Sequence, residues 1–227
     1  MTEHDLDNPF WNSLCTRHRA IALRNGDAAC YPAPFAPFLG VAHAGVDVDD
    51  TVAPLVAPGE SVYLIGVVPS VPAGWKLEAY RPLAQMISHD PLEVIDGPEI
   101  IPLSEAHRAD VLALTALVYP HYFRERTMEM GRYFGIYQEE RLAAIIGERL
   151  GTDAYTEMSA ICTHPDFLGR GYARRLTAML TNDTLERGRI PFLHVSHENT
   201  RAKQLYEQIG FRHRRDVGFW SLTRLAG

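Results

Sequence analysis

Glu157-Met-Ser-Ala-Ile-Cys-Thr-His-Pro-Asp-Phe-Leu-Gly-Arg-Gly-Tyr-Ala173 is the stretch whose reading decides the rest of the chain. Met158 to Thr163 is a strand-length run of small, apolar and β-branched residues. His164-Pro165 ends it, because proline cannot donate to a ladder. Gly169 and Gly171 follow, leaving the backbone open to close approach. Ala173, Leu176 and Leu180 then recur at helical spacing, predicting a helix that runs to about Arg187. A glycine turn that feeds a helix N-terminus offers free N–H groups and the positive end of a helix dipole, an arrangement suited to phosphate or pyrophosphate.

Two common anion-binding motifs do not fit. The string G-x-x-x-x-G-K-S/T occurs nowhere in the chain, and the dinucleotide pattern G-x-G-x-x-G meets Arg174 where its third glycine belongs. Leu168-Gly169-Arg170-Gly171-Tyr172-Ala173 instead resembles motif A of the GNAT superfamily of acyl-CoA-dependent N-acyltransferases, Gln/Arg-x-x-Gly-x-Gly/Ala after a strand, with Leu168 in place of the usual Gln or Arg. A second segment, Asn199-Thr-Arg-Ala-Lys-Gln-Leu-Tyr-Glu-Gln-Ile-Gly-Phe211, resembles motif B, N-x-x-A-x-x-L-Y-x-x-x-G-F. Its own chemistry is coherent: Asn199 is a good N-cap, Ala202, Leu205, Tyr206 and Ile209 share a helical face, and Gly210 supplies the stop. The strand Ile190 to Ser196 lies between the two helices, giving β-α-β-α order.

The resemblance implies a mixed α/β (α+β) fold, a mostly antiparallel sheet flanked by helices, over residues 96–227. It implies acetyl-CoA as co-substrate and an amine as acceptor. Backbone groups of Ile161, Cys162 and Thr163 would meet the pantetheine and acetyl group, and Leu168, Gly169, Arg170, Gly171, Tyr172, Ala173 and Arg174 would cover the pyrophosphate. Asn199 corresponds to the motif B asparagine that contacts the cofactor. Tyr206 is the candidate general acid, since a phenol titrates near 10 and can donate at neutral pH. The bland reading of Tyr206 is a core tyrosine beside Leu205 and Ile209.

Glu157 is the candidate base, because period-2 alternation places it on one face with Ser159 and Ile161, and burial raises a carboxyl pKa. The alternatives are a glutamate paired with an arginine such as Arg149, a base at His194 or His197, or a water chain with no dedicated base. Cys162 reads as a small buried residue, since the family attacks directly without an acyl-enzyme. No His, Cys or carboxylate set has metal-ligand spacing, so no metal is expected. The competing function is a catalytically silent acyl-CoA-binding or interaction module.

The wider composition is that of a globular protein: of 227 residues, 46% are hydrophobic and 22% charged, enough for a real core. A net charge of −6 argues against nucleic acid and mildly favours a cationic partner such as an amine. Three scattered cysteines with no C-x-x-C point to reduced thiols and a cytoplasmic setting, and no apolar run reaches membrane-spanning length. A monomer or homodimer is expected.

Residues 1–95 are read as an auxiliary domain. A helix start at Asp7-Asn8-Pro9, a hairpin about Asn25-Gly26, a short helix in Asp49 to Val56, a strand in Ser61 to Val68 and another in Trp75 to Ile87 could make an incomplete copy of the acyltransferase module. With no glycine motif there, the expected task of this part is packing against the second. Ser88 to Pro98 holds the boundary. Beyond it come strand Glu99 to Leu103, helix Ser104 to Val118, an aromatic and basic segment Tyr119 to Gly131, strands Tyr133 to Gln138 and Leu142 to Arg149, and two last strands within Arg212 to Leu225. In GNAT enzymes the first two helices and their connection form the acceptor wall, and the aromatics of Tyr119 to Tyr133 suggest an apolar acceptor.

Overall fold

A computed structural model describes residues 4–226. The chain runs through α1 (Pro9–Cys15), β1 (Leu23–Asn25), β2 (Ala28–Cys30), β3 (Leu39–Val41), a helical turn Val48–Val52, β4 (Ser61–Ile65), β5 (Trp75–Ala79) and β6 (Leu83–Ile87). It continues with β7 (Ile101–Leu103), α2 (Arg108–Val118), β8 (Tyr133–Gln138), β9 (Arg141–Gly151), β10 (Tyr155–Thr163), α3 (Tyr172–Glu186), β11 (Ile190–Ser196), α4 (Thr200–Ile209), β12 (Arg212–Val217) and β13 (Phe219–Arg224).

The main sheet has the order β12-β6-β11-β10-β9-β8-β7, and only the β10–β11 pair is parallel. The sequence accounts for its regular parts. The β8–β9 hairpin turns on Glu139 and Glu140, both left-handed at φ 52° and 61°, the twist that joins antiparallel strands tightly. Asn199 caps α4 by accepting from the Ala202 amide at 3.1 Å, as its residue type predicts. Alternate residues of β9 enter different cores. Ala144 and Ile146 pack with Leu176 and Leu180 of α3, whereas Ile145 packs with Val111 and Leu114 of α2, so α3 and α2 cover opposite faces.

The two parts expected from the sequence exchange strands. β6, from the first part, lies between β11 and β12, with His194 opposite Gln85 and Val217 opposite Leu83. In return β13, the last strand, sits between β4 and β5, with Leu222 opposite both Val62 and Leu77. The division at 95/96 falls in irregular chain between β6 and β7, yet four strand pairings cross it, in two sheets. The sequence reading also expected one strand in Trp75 to Ile87; there are two, because β5 and β6 belong to different sheets.

α1 is pinned to the sheet by a buried polar cluster. Ser13 Oγ accepts from the Gly151 amide at 3.1 Å, and the His18 ring donates through Nε2 to the Met130 carbonyl at 2.8 Å. Nδ1 of His18 is therefore an acceptor, and the Tyr31 hydroxyl lies 2.8 Å from it. Burial holds the His18 imidazole down at about 4, so it stays neutral.

Candidate active site

The site begins with a break in the sheet. β10 pairs with β11 only from Tyr155 to Glu157; beyond that, β11 bonds to β6 on its far side and β10 to β9 on its far side. Ala160 takes φ +50°, unusual for a residue with a side chain, inside the bulge where the β9–β10 register slips between Ser159 and Cys162. The bulge also corrects the simple alternation expected for Glu157, Ser159 and Ile161. The two strands splay, and their facing edges line a cavity of about 680 Å³. Met158 to Cys162 form one lip and Leu193 to Ser196 the other, with Asn199, Ala202 and Tyr206 of the motif B segment beside them.

At the end of β10 the chain turns through His164, whose Nδ1 accepts from the Asp166 amide at 3.2 Å, and enters α3 past two left-handed glycines, Gly169 and Gly171, both at φ +78°. A Cβ on Gly169 would meet nothing within 4 Å, and Leu168, Gly169 and Arg170 are exposed. The turn thus presents its backbone and the first-turn amides of α3 to solvent. The side chain of Tyr172 is buried in the core under α3, so that residue offers the surface only its amide. Arg174 pairs with Glu93 at 2.8 Å, and the Arg170 guanidinium lies 4.9 Å from the centre of the Phe167 ring.

This splayed-strand architecture has solved counterparts. A structure assigned to the GNAT acetyltransferase family, from Novosphingobium aromaticivorans, is 31% identical and superimposes with a TM-score of 0.89, covering 98% of this chain and 99% of that one. The chain belongs to the GNAT acetyltransferase family. A family model described as FR47-like protein matches residues 133–221. A GCN5-related N-acetyltransferase from Kribbella flavida shares the fold at 17% identity, TM-score 0.58, with 88% of each chain covered. Curated proteins gave no match.

Within this GNAT site, Ile161, Cys162, Asn199 and Tyr206 share the cavity, whereas Thr163 and the Leu168 to Arg174 turn lie outside its lining. Tyr206 is 6% exposed, and burial raises its phenol above the ordinary value. Its hydroxyl makes no hydrogen bond among the described residues. Cys162 is buried, and its thiol is pushed up to about 12, which suits a packing residue rather than a nucleophile.

Glu157, the expected base, has both carboxylate oxygens engaged. Its carboxylate is fully buried and accepts a two-pronged pair from Arg149, Nε to Oε2 at 2.9 Å and Nη2 to Oε1 at 3.0 Å. His194 Nδ1 also lies 2.7 Å from Oε1. Desolvation pushes the carboxyl upward, but Arg149 and His194 outweigh it and hold the group at about 2. Glu157 does not line the cavity; the two residues it holds do. The arginine partnership set beside the base role is what the geometry supplies.

His194 is also committed at both ring nitrogens. Gln85 Nε2, on the exchanged strand β6, lies 3.0 Å from His194 Nε2 and also donates to the Leu6 carbonyl at 2.9 Å. Gln85 Oε1 accepts from Arg214, which pairs with Asp7, each at 2.7 Å. A hydrogen-bonded line therefore runs from the cavity floor through β6 to the first part of the chain. His197 bonds Asp216 at 2.9 Å outside the cavity lining.

Sequence reading missed a whole wall. Phe10, Phe38, Ile65, Tyr80, Arg81 and Leu83, all from the first part, line the cavity opposite the splayed strands, together with Tyr119 and Tyr122 of the aromatic segment. Tyr63, Tyr80, Tyr122 and Phe219 form a ring cluster there, Tyr63 stacked on Phe219 at 5.5 Å. The first part of the chain is thus site wall as well as packing. No local pattern marked these residues; only the strand exchange brings them near. Among the described residues no group of three His, Cys, Asp or Glu could hold a metal ion, and no helix is long and apolar enough to cross a membrane.

Proposed function

We propose that this chain is an N-acetyltransferase that moves the acetyl group of acetyl-CoA to a primary amine by direct attack. The observation that carries the reading is the unpaired edge of β10 beside the Tyr206 hydroxyl in one cavity, with the glycine turn of α3 at its end. These residues fit the co-substrate. The β10 edge at Ile161, Cys162 and Thr163 has backbone groups free to pair with an amide-bearing pantetheine arm, and within the Leu168 to Arg174 turn the amides from Gly169 onward are free for a pyrophosphate, the Leu168 amide donating to the Pro165 carbonyl. When bound, acetyl-CoA supplies the thioester carbonyl.

Tyr206 is assigned as the acid. Burial keeps its phenol protonated at neutral pH, and its unpartnered hydroxyl can donate a proton to the sulfur as the C–S bond breaks and the N–C bond forms, the proton shed by the newly acylated nitrogen returning to the phenolate. Glu157 is assigned to holding Arg149 and His194 in place. The histidine and carboxylate deepest in the site are engaged, and Glu198 at the rim pairs with Arg81 at 3.0 Å. The ammonium gives its proton to water or to His121, which lines the cavity and makes no hydrogen bond among the described residues, and the acceptor reacts as the free amine.

Calorimetric titration with acetyl-CoA, with ATP and NAD as controls, tests the reading. Micromolar binding to acetyl-CoA alone, followed by turnover of an amine, is expected. Binding without turnover on any amine would favour a silent acyl-CoA module, and preference for ATP or NAD would overturn both.

A further inference from the structure

Where the cavity meets a small recess, three hydrogen-bond donors have no partner among the described residues. Arg149 spends Nε and Nη2 on Glu157, but Nη1 bonds to nothing among the described residues and is not sealed from solvent. Its guanidinium is held flat by the Phe38 ring, 5.0 Å from the ring centre, and the side chain keeps 15% exposure where it lines the cavity. The Ser159 hydroxyl also bonds to no described residue and lines the same space. The Tyr133 hydroxyl is buried without a partner, in a residue only 2% exposed. Arg149, Ser159 and Tyr133 meet around a recess of about 10 Å³ that adjoins the main cavity, room for about one oxygen-sized atom. Tyr133 reaches it because Gly147, its partner across the β8–β9 ladder, has no side chain: a Cβ there would lie 2.1 Å from the Tyr133 ring.

The Tyr133 hydroxyl is the buried donor with no acceptor, a costly state, and with the accessible Arg149 Nη1 and Ser159 hydroxyl around the same recess it points to a ligand with acceptor oxygens. The charge balance specifies its sign. Glu157 neutralises Arg149 from behind, and the carboxylate in the cavity lining, Glu198, is paired with Arg81 at the rim. Among the described residues no free carboxylate lines the interior to receive a second ammonium, as a polyamine would require. Five rings, Phe10, Phe38, Tyr80, Tyr122 and Phe219, supply an aromatic side to the wall.

We infer that the acceptor is an amine that also carries a carboxylate on an apolar, aromatic-sized body, its carboxylate seated on Arg149 Nη1, Ser159 and Tyr133. The inference rests on the acetyl-transfer reading and names its substrate class. Anchoring the carboxylate leaves the amine free to approach the β10 edge. It narrows the expectation drawn from net charge, from an amine to an amine that also carries a carboxylate.

The test compares L-phenylalanine, L-phenylalaninamide and phenethylamine, which share the ring and amine and differ at the carboxylate. Each is titrated into the protein with and without saturating CoA, and acetyl-CoA is titrated separately. L-Phenylalanine is expected to bind at least about tenfold more tightly than the other two, the margin of a charge-assisted hydrogen bond. Tyr133→Phe, which keeps the ring and the fold, is expected to shrink that preference. Equal binding, a preference for phenethylamine, or no binding of any of the three would overturn the inference while acetyl-CoA binding leaves the acetyl-transfer reading standing. Failure of acetyl-CoA to bind would remove that reading instead, whatever the three amines do.

Discussion

Glu157→Gln separates a structural carboxylate from a catalytic one. Glutamine keeps the shape and removes the charge. If its Oε1 keeps the hydrogen bond from His194 Nδ1, its amide nitrogen must face Arg149 Nε–H, which now sits 2.9 Å from Oε2. That sets donor against donor beside an arginine left without its counter-charge. Removing one partner of a buried pair costs roughly 3–5 kcal/mol, and because Arg149 keeps 15% exposure and can recruit cavity water, about 2–3 kcal/mol is expected here. For a chain of this length that is a fall in Tm of about 4–12 °C, read by differential scanning calorimetry. A general base would behave differently, its loss lowering kcat by roughly 10²–10⁴ with the fold intact. A Tm within about 2 °C of wild type, together with a hundredfold or greater drop in kcat, would refute the pairing argument and restore Glu157 as the base.

Tyr206→Phe should lower kcat by well over tenfold while leaving acetyl-CoA affinity, measured by calorimetry, nearly unchanged; unaltered turnover would remove Tyr206 as the acid. Gly169→Asp places a carboxylate in open space at the α3 turn and should weaken acetyl-CoA binding at least about tenfold, with a fall in Tm of a few degrees from the left-handed φ of +78°; equal affinity would mean the phosphates lie elsewhere. His18 predicts an acid-sensitive fold. Its folded pKa of about 4 lies below the unfolded 6.5, so the unfolded chain takes up the proton first and stability falls as pH drops through that window, by up to about 3 kcal/mol. Urea midpoints between about pH 7 and pH 5 read this loss above the range of ordinary carboxylates, and a flat profile would contradict it.

What the sequence disclosed, and what it withheld, follows the range of the interactions involved. Asn199, Gly169, Gly171 and Gly210 act within a few residues of themselves, so caps, turns and the two motif helices are legible from local pattern. The strand Ile190 to Ser196 is legible for the same reason. Glu157 could not be settled locally, because its role depends on whether Arg149 and His194, from two neighbouring strands, point at it. The wall of Phe10, Phe38 and Tyr80 was further out of reach, since a ring in an amphipathic pattern reads as core until the topology shows what it faces. Ala160 shows the same limit at shorter range: nothing in Met-Ser-Ala-Ile-Cys announces a left-handed alanine, and that residue marks where the strands part.

The strand exchange also bears on how the molecule comes into being. Synthesis proceeds from residue 1 onwards, so β4 and β5 leave the ribosome long before β13, the strand that joins them, and β6 before both of its neighbours. Neither part can close its sheet while the other is missing, and the usual sequence in which an early domain folds and waits is unavailable. Both sheets close only when the β12–β13 segment arrives. Until then the edges of both sheets are exposed, and they are open to pairing with other chains.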